Sequence, residues 1–534
     1  MSSGVSKRVL GILAPEGLGI GVICLYAWVF LAVLVHLILG GYGHMWATTF
    51  LACLVVAAAI SLVVGAALLQ LGMLVRRKVG QLAYVPRSPA WTDRVALFLC
   101  GLVPLLVWWA AFFPGCFSED SINQLTQALS GSYVDWHPTI HTVLVYRLPL
   151  ALTGGAVWSI ILFQLVALAC ALTYAGTTLM RVAPRWSAYG FVLVLALSPV
   201  TGIISVYPWK DVSFAIVALV MTAQAVRIRC SDGAWLRSPL CVLGLALTCA
   251  LCCLLRHNGV LLVVPLMVVV AVLPVDRRRL AVAAALALSI VVMVRGPLYT
   301  FLGVASPGQR AIETLGMPLS ALGSVMQDDP EALDADTKSL LLEALPREAW
   351  DSFNYQRGFN SVKWNDQMDL DVLDRQGLGL LGMAARALLA SPTAALRSPL
   401  ALLSMVHLPA EEVFWGVGPE LVENDLGLAW TGFAPLSELL VTLLTSSYTG
   451  LLSIPLWHVG VIEVLLVLVL ALGGRRVPEV LLVLPLLLYD VGTSLLLTGV
   501  DFRFFWLTYP VGGFLLLALL FGWLAPAFQA SDTR

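Results

Sequence analysis

Charge is what this chain of 534 residues has least of: Asp, Glu, Lys and Arg make up 12% of it. That is about half the share of an average soluble domain. Hydrophobic residues account for 59%, and the mean hydropathy is +0.90. A water-soluble globule is excluded, because too little polar surface is encoded to cover one. Basic blocks and arms are missing too, and with a net charge of −1 nucleic acid is not an expected partner. The ten cysteines fall mostly in apolar runs, Cys24, Cys53, Cys100, Cys170, Cys241 and Cys249 among them. They read as small buried hydrophobes, and the adjacent Cys252 and Cys253 lack the spacing of metal ligands. Internal repeats and low-complexity segments are absent. So is a small-residue cleavage site after the first apolar run, which is too long for a signal peptide and is expected to be a retained span.

What the chain has in abundance is apolar runs of roughly 18–25 residues, the length that crosses a bilayer. They predict spans near 18–40, 46–75, 95–113, 156–180, 187–206, 211–227, 239–255, 259–275, 280–304, 456–473, 480–498 and 506–525. The expected fold is an all-α polytopic membrane protein of about 12 transmembrane helices. Its N-terminal transmembrane module is 1–304, its loop region 305–455 and its C-terminal module 456–534. Simple alternation puts Lys7 and Arg8 on one side with Arg76, Arg77, Lys78, Arg87, Arg94, Arg181, Arg185, Arg227, Arg229, Arg237, Arg277, Arg278, Arg279, Arg475 and Arg476. By the positive-inside rule that side, with the N-terminus, is cytoplasmic.

The other side holds a different kind of residue. Segment 114–155 contains PGCFSEDSINQLTQALSGSYVDWHPTIH, with Glu119, Asp120, Asp135, His137 and His141. From Ser118 its pattern is helical, with Asp120, Asn123, Gln124 and Gln127 on one face and Ile122, Leu125 and Leu129 on the other. Gly131 ends this short amphipathic helix, and His137 before Pro138 turns the chain back. The long loop is acidic, with 18 Asp and Glu against 8 Lys and Arg between Ser306 and Gly432. Its centre, Gln327 to Arg375, is expected to be soluble and partly helical, with a helix starting at Pro330. Segments 378–408 and 434–455 are apolar but broken by Pro392, Pro399 and Pro409 or by Glu438, and are expected to be interfacial.

Each polar residue has a structural reading beside a functional one. Glu119 and Asp120 suit the N-terminal dipole of a helix capped by Ser118, and Asp135 and His137 suit a turn. His141 is also compatible with simple exposure to solvent. Lys210, Arg256 and Arg503 each lie at an outer span end, where a lone cation is usually a headgroup anchor. Three there, against the positive-inside bias and with Asp211, His257, Asn258 and Asp501 as neighbours, are better explained by a bound anion. Arg295 lies within an apolar run and needs a partner or an anionic ligand, Asp490 and Glu463 being two in principle. Together these residues suit transfer of a sugar from a lipid phosphate. Cations hold the phosphate and stabilise the charge it gains on leaving, while one carboxylate takes the proton of the attacking hydroxyl. Displacement in one step inverts the anomeric carbon.

The segment PGCFSEDSINQLTQALSGSYVDWHPTIHT, with PWKD at 208–211, RHNG at 256–259 and DFRFF at 501–505, resembles the GT-C superfamily of membrane glycosyltransferases. It is most like a bacterial branch with Pro-Gly-x-x-Ser-x-Asp-Ser and Asp-Trp-His-Pro segments. More distantly it is similar to the protein O-mannosyltransferases and the lipid A aminoarabinose transferases. The likeness covers roughly 95–300 and 480–525 and leaves 305–455 unmatched. It implies a catalytic acidic residue in the first large outer loop, which maps to Asp120 with Glu119 beside it. It implies polyprenyl-phosphate sugars as donors, hexosyl or pentosyl transfer to a glycan, lipid or protein acceptor, and no metal or other cofactor. Asn123, Gln124, Asp135, His137, His141, Lys210, Asp211, Arg256, His257, Asn258, Arg295, Asp501 and Arg503 are then the expected substrate-binding set. The bacterial plasma membrane is the expected location, with the active site extracytoplasmic. The rival readings are a lipid-linked polysaccharide polymerase or ligase, which would lean on Arg and His in a later loop, and a transporter or flippase, which would spread polar residues through its spans.

Overall fold

The computed structural model describes residues 19–38, 47–82, 84, 86–306, 311–407, 416–473, 477–496, 498–499 and 501–524. Among the described residues the chain is helical, with isolated bridges but no strands. That is what a lipid environment demands of it, because backbone N–H and C=O groups in hydrocarbon must be satisfied within the segment. The order runs α1 (Ile20–Leu37), α2 (Ala47–Gly80), α3 (Trp91–Ala111), the short α4 (Glu119–Ser130) and α5 (Trp158–Leu179). A bent pair follows, α6 (Arg185–Leu197) and α7 (Pro199–Ser205), then α8 (Lys210–Cys230), α9 (Pro239–Leu255), α10 (Val260–Val272) and α11 (Arg277–Met293). Next come α12 (Gly316–Asp328), α13 (Ala335–Ala344), α14 (Gly379–Ala390), α15 (Pro392–His407) and α16 (Ala434–Ser446). The described chain closes on α17 (Gly460–Gly473), α18 (Leu484–Leu496) and α19 (Thr508–Leu519).

Eight stretches are long and apolar enough to cross a membrane: 20–37, 51–80, 91–111, 158–179, 210–230, 277–301, 478–496 and 502–524. The chain is therefore a multi-pass membrane protein. Shorter apolar helices pack among these: α9 against α8 and α11, α10 against α18, and α17 against α1 and α19. The α6–α7 pair bends by 63° because Pro199 forces Ser198 out of the helical region, at φ −63° and ψ 128°.

The two ends of the bundle differ as the charge pattern predicts. At one end Arg76 Nε donates to the Leu524 carbonyl at 2.8 Å, Arg229 Nε to Glu479 at 2.6 Å and Arg279 Nη1 to the Leu236 carbonyl at 3.1 Å. The amide of Arg87 donates to the Met180 carbonyl at 3.1 Å, tying the same end together. The opposite end gathers 114–147, 207–211, 256–258 and 501–505. Lys7, Arg8, the turn at 41–44, Pro409, Glu411, Arg475 and Arg476 lie outside the described residues.

Part of the long loop forms a helical cap with its own core around Trp350, Phe353 and Phe359. Pro330 opens only a 3₁₀ turn to Ala332. The helix expected there begins later, at α13, where the Asp334 side chain accepts from the Thr337 amide at 2.9 Å. A larger departure is α15. It turns 119° from α14 and runs beside α1 instead of lying flat. Leu400 packs with Leu34, Val35 and Ile38, and His407 stacks on Trp28 with ring centres 4.3 Å apart. Seven residues separate those contacts, about 10 Å of helix, so α15 follows α1 inward. Its hydroxyls do not hold it at a polar surface, because Ser404 Oγ satisfies itself on the Ala401 carbonyl at 2.6 Å. By contrast α16 anchors Ser437 Oγ on the Ala111 carbonyl at 2.6 Å, leaves Leu439 and Leu443 exposed, and is followed by a sharp bend of 86° into 450–457.

The separation of ends, with the orientation expected from the basic loops, gives a labelling pattern. With Cys170 and Cys230, the two exposed cysteines, replaced by alanine, S130C and D336C should react with a membrane-impermeant maleimide in intact cells. R237C should react only after permeabilisation; the reverse pattern would invert the orientation.

Candidate active site

Helix α4 is set by local chemistry. Gly131 at φ +74° stops it. Ser118 stands at its N-cap position but does not cap: its Oγ accepts from Trp209 Nε1 at 2.9 Å, which fastens the helix start to the PWKD segment. The buried side is Ser121, Gln124, Leu125 and Ala128, packed over Phe117, Tyr146 and Leu150. The expected faces are thus rotated, with Gln124 inside and Leu129 46% exposed. Gln124 is inside because it has partners, its Oε1 lying 2.7 Å from His141 Nδ1 and accepting from Thr142 Oγ1 at 3.2 Å. Asn123 and Gln127 bond each other at 2.7 Å, and Gln127 Oε1 accepts the Val134 amide, so Asn123 serves the loop and not the site.

Asp120 is where separate parts of the chain meet. Its Oδ2 accepts from Arg503 Nη2 at 3.0 Å, and its Oδ1 lies 3.6 Å from His137 Nε2. The other nitrogen of that imidazole, Nδ1, is 3.0 Å from Lys210 Nζ. Asp120 is 37% exposed, whereas Arg503 is 17% and His137 6% exposed, so the carboxylate is the member of the group most open to an incoming molecule. Arg503 is aimed by its surroundings. The Asp501 side chain accepts its amide and pairs with its Nε at 3.1 Å, and its guanidinium lies over Trp209 at 4.9 Å and Phe504 at 5.4 Å. Tyr207 stacks beneath Trp209 at 4.0 Å, and Gln164 fixes that segment by donating to the Ser205 and Tyr207 carbonyls.

Burial alone would push the Asp120 carboxyl up. The charges of Arg503, His137 and Lys210, with the Arg503 hydrogen bond, outweigh it and hold the group below the usual carboxylate range. Burial, then the charge of Lys210, pushes His137 down to about 4 against the opposing pull of Asp120. His141 is fully buried behind α4 and is pushed down to about 3, by burial first and then by Lys210 and His137.

The remaining expected residues separate into tiers. Arg256 is buried and committed: it forms an ion pair with Asp211, its Nε donates to Asn258 at 3.1 Å, and its guanidinium lies over Phe504 at 4.8 Å. Asn258 in turn donates to Thr493 at 2.8 Å. Gly259 closes this turn because a Cβ there would collide with the Cys252 carbonyl. Arg295 and His257 sit together on the exposed flank, 3.5 Å apart, with Arg295 also donating to the Cys253 carbonyl. Glu463 and Asp490 lie beside each other in the bundle, with Asp490 accepting from Thr508 at 2.7 Å. Asp135 accepts the Thr139 amide at 2.9 Å, the turn-building role. Among the described residues, no group of three or more His, Cys, Asp or Glu side chains is arranged to hold a metal ion.

Over Asp120 opens a cavity of about 410 Å³, walled by Tyr207, Trp209 and Arg503 and rimmed by Glu119, Glu420 and Asp501. Sequence reasoning missed its far wall. The strap 416–420 is held there by a bridge in which the Phe117 amide donates to the Glu420 carbonyl at 2.9 Å and the Val422 amide to the Phe117 carbonyl at 3.0 Å. Tyr207 Oη donates to the Gly418 carbonyl at 2.7 Å. The one signal for it was an acidic stretch at 411–425 with no basic anchor beside it. A family model described as "Family of unknown function (DUF6020)" matches residues 130–350, a stretch that includes His137, Lys210 and Arg256 and stops short of Asp120 and Arg503. No curated protein and no solved structure matches the chain.

Both imidazoles start from 6.5 when unfolded, so the folded protein binds fewer protons and loses stability as pH falls from 6.5 toward 4. Asp120, held low, adds to the loss below the usual carboxylate value. Melting temperature in detergent should therefore drop across that window, and H141Q should flatten the slope whatever it does to the absolute value. An unchanged slope would contradict the neutral buried imidazole.

Proposed function

We propose that this chain is a membrane glycosyltransferase of the GT-C kind. It moves a sugar from a polyprenyl phosphate to an acceptor hydroxyl on the extracytoplasmic face of a bacterial plasma membrane, with inversion. The observation that carries the reading is the Asp120 carboxylate, part-exposed at the floor of a 410 Å³ cavity with Arg503 on one oxygen and His137 and Lys210 behind the other. The helix count of about twelve adds the α6–α7 pair and the shorter α9, α10 and α17 to the eight long stretches.

On this reading the bound phosphate competes with Asp120 for Arg503. As the guanidinium turns to phosphate oxygens, Asp120 loses its strongest cation and becomes a better base when the acceptor arrives. Lys210 and His137 do not line the cavity, and Lys210 adds its charge from behind, 3.0 Å from His137 Nδ1. Arg256 shapes the site from behind: it does not line the cavity, its Nη1 and Nε are engaged by Asp211 and Asn258, and its guanidinium backs Phe504. Glu119 stands at the rim as the alternative base.

In membranes given radiolabelled polyprenyl-phosphate sugars, D120N should cut transfer by roughly 10²- to 10⁴-fold with normal expression, since it keeps the shape and loses the base. If E119Q is dead and D120N active, the base is the neighbour; if both are active, the carboxylate mechanism is wrong. R503K keeps the charge but loses the planar fork, so it should raise the donor KM. Wild-type donor use by R503K would reduce Arg503 to a headgroup anchor.

A further inference from the structure

We infer that Arg295 and His257 hold the phosphate of an anionic phospholipid on the lipid-facing flank of the bundle, with an acyl chain laid along α10. Such a site is independent of what reacts at Asp120. Stretch 277–301 is the least buried of the eight that can span a membrane, so most of it faces lipid. Arg295 lies roughly 27 Å along it from Arg277, near the far edge of the hydrocarbon. The apolar surface does not end there: Val292 before it and Leu298 and Phe301 after it are all exposed. A guanidinium set among exposed apolar side chains needs an anion. The protein supplies only a carbonyl and an imidazole. Arg295 Nη2 donates to the Cys253 carbonyl at 3.1 Å and lies 3.5 Å from His257 Nδ1. Among the described residues its Nε and Nη1 have no hydrogen-bond partner, and no carboxylate pairs with it.

Two features set the pair apart from a simple headgroup anchor. A snorkelling arginine stretches toward the headgroups by itself. Arg295 is instead tied back to α9 through Cys253, which fixes the guanidinium at the corner where His257 starts the turn into α10. From that corner Val260, Val264 and Val268 stay exposed down one face of α10 at four-residue spacing. Since α10 lies beside α11, the flank presents a cationic head above an apolar wall, and charge and shape together match a phospholipid. Neither Arg295 nor His257 lines the cavity over Asp120, so a phosphate held here does not present a sugar to that carboxylate. The pair is therefore assigned to a resident bilayer lipid and not to the donor. His257 shares its turn with Arg256 and Asn258, which reach Asp211 and Thr493, so the lipid braces the turn that backs the site.

The test uses the full-length chain in detergent with added phosphatidylglycerol. Native mass spectrometry should show one such lipid retained per chain, and R295Q should weaken its binding about fivefold or more. Phosphatidylglycerol should raise the melting temperature more than phosphatidylcholine does. Glycerol phosphate, which has the head and no chains, should not raise it, and in R295Q the two lipids should act alike. Phosphatidylglycerol carrying a diazirine on its acyl chain should label wild-type peptides from 260–272 and 288–301, a readout that needs no variant. Labelling elsewhere with none there, equal stabilisation of the wild type by the two lipids or by glycerol phosphate, or a dimer without bound lipid overturns the site. Displacement of phosphatidylglycerol by polyprenyl phosphate at equal concentration gives the flank to the donor and overturns it too.

Discussion

The contact between Arg503 and Asp120 joins residues 383 apart in sequence, and most of the site end is arranged to make it possible. A guanidinium and a carboxylate are expensive to remove from water unless their remaining donors and acceptors are met. Here Asp501, Trp209 and Phe504 hold Arg503, while Ser118 fastens the start of α4 to Trp209. Behind them Arg256 and Asp211 form a buried pair that backs Phe504. The C-terminal helices are thereby tied to the first polar loop, and the Asp120 carboxylate is left open to the cavity, more so than Arg503 or His137. On the proposed reading, such a partner keeps the carboxylate charged and frees it when an anion takes the guanidinium.

The rest of the architecture isolates this cluster. Basic residues collect at the opposite end, where Arg229 and Glu479 tie α8 to the 3₁₀ turn leading into α18. The acidic pair of Glu463 and Asp490 within the bundle has Thr508 as a partner and lies apart from Arg295, which turns instead to His257 at the exposed flank. Apart from that buried acidic pair, the charged side chains gather at the two ends of the bundle, with the cluster around Asp120 at one of them.

Much of this was legible because bilayer length and charge bias are coarse signals. The long apolar runs located eight helices of spanning length, while those near 187–206, 239–255, 259–275 and 456–473 form a bent pair or shorter helices. The motif residues Asp120, His137, Lys210 and Arg503 did converge. What could not be read was direction within a helix or a cluster. Gln124 sits on the polar face by period, but two donors waiting on the 139–142 turn draw it inside. Arg256 has the composition of an anion ligand, and only the fold reveals that Asp211 and Asn258 already occupy it. The prolines of 392–407 suggested a broken surface segment. The structure buries that helix along α1, where Trp28 meets His407. Glu420 reaches the cavity through a backbone bridge, which leaves no side-chain pattern to detect.

The central claim is that a lipid-phosphate-linked sugar reacts at Asp120. Its most direct test is the anomeric outcome with purified chain in detergent containing a chelator, supplied with a β-linked polyprenyl-phosphate sugar and an alcohol acceptor. The account predicts release of polyprenyl phosphate and an α-linked product, and no turnover of nucleotide sugars. A β-linked product, or turnover of a nucleotide sugar, would contradict it.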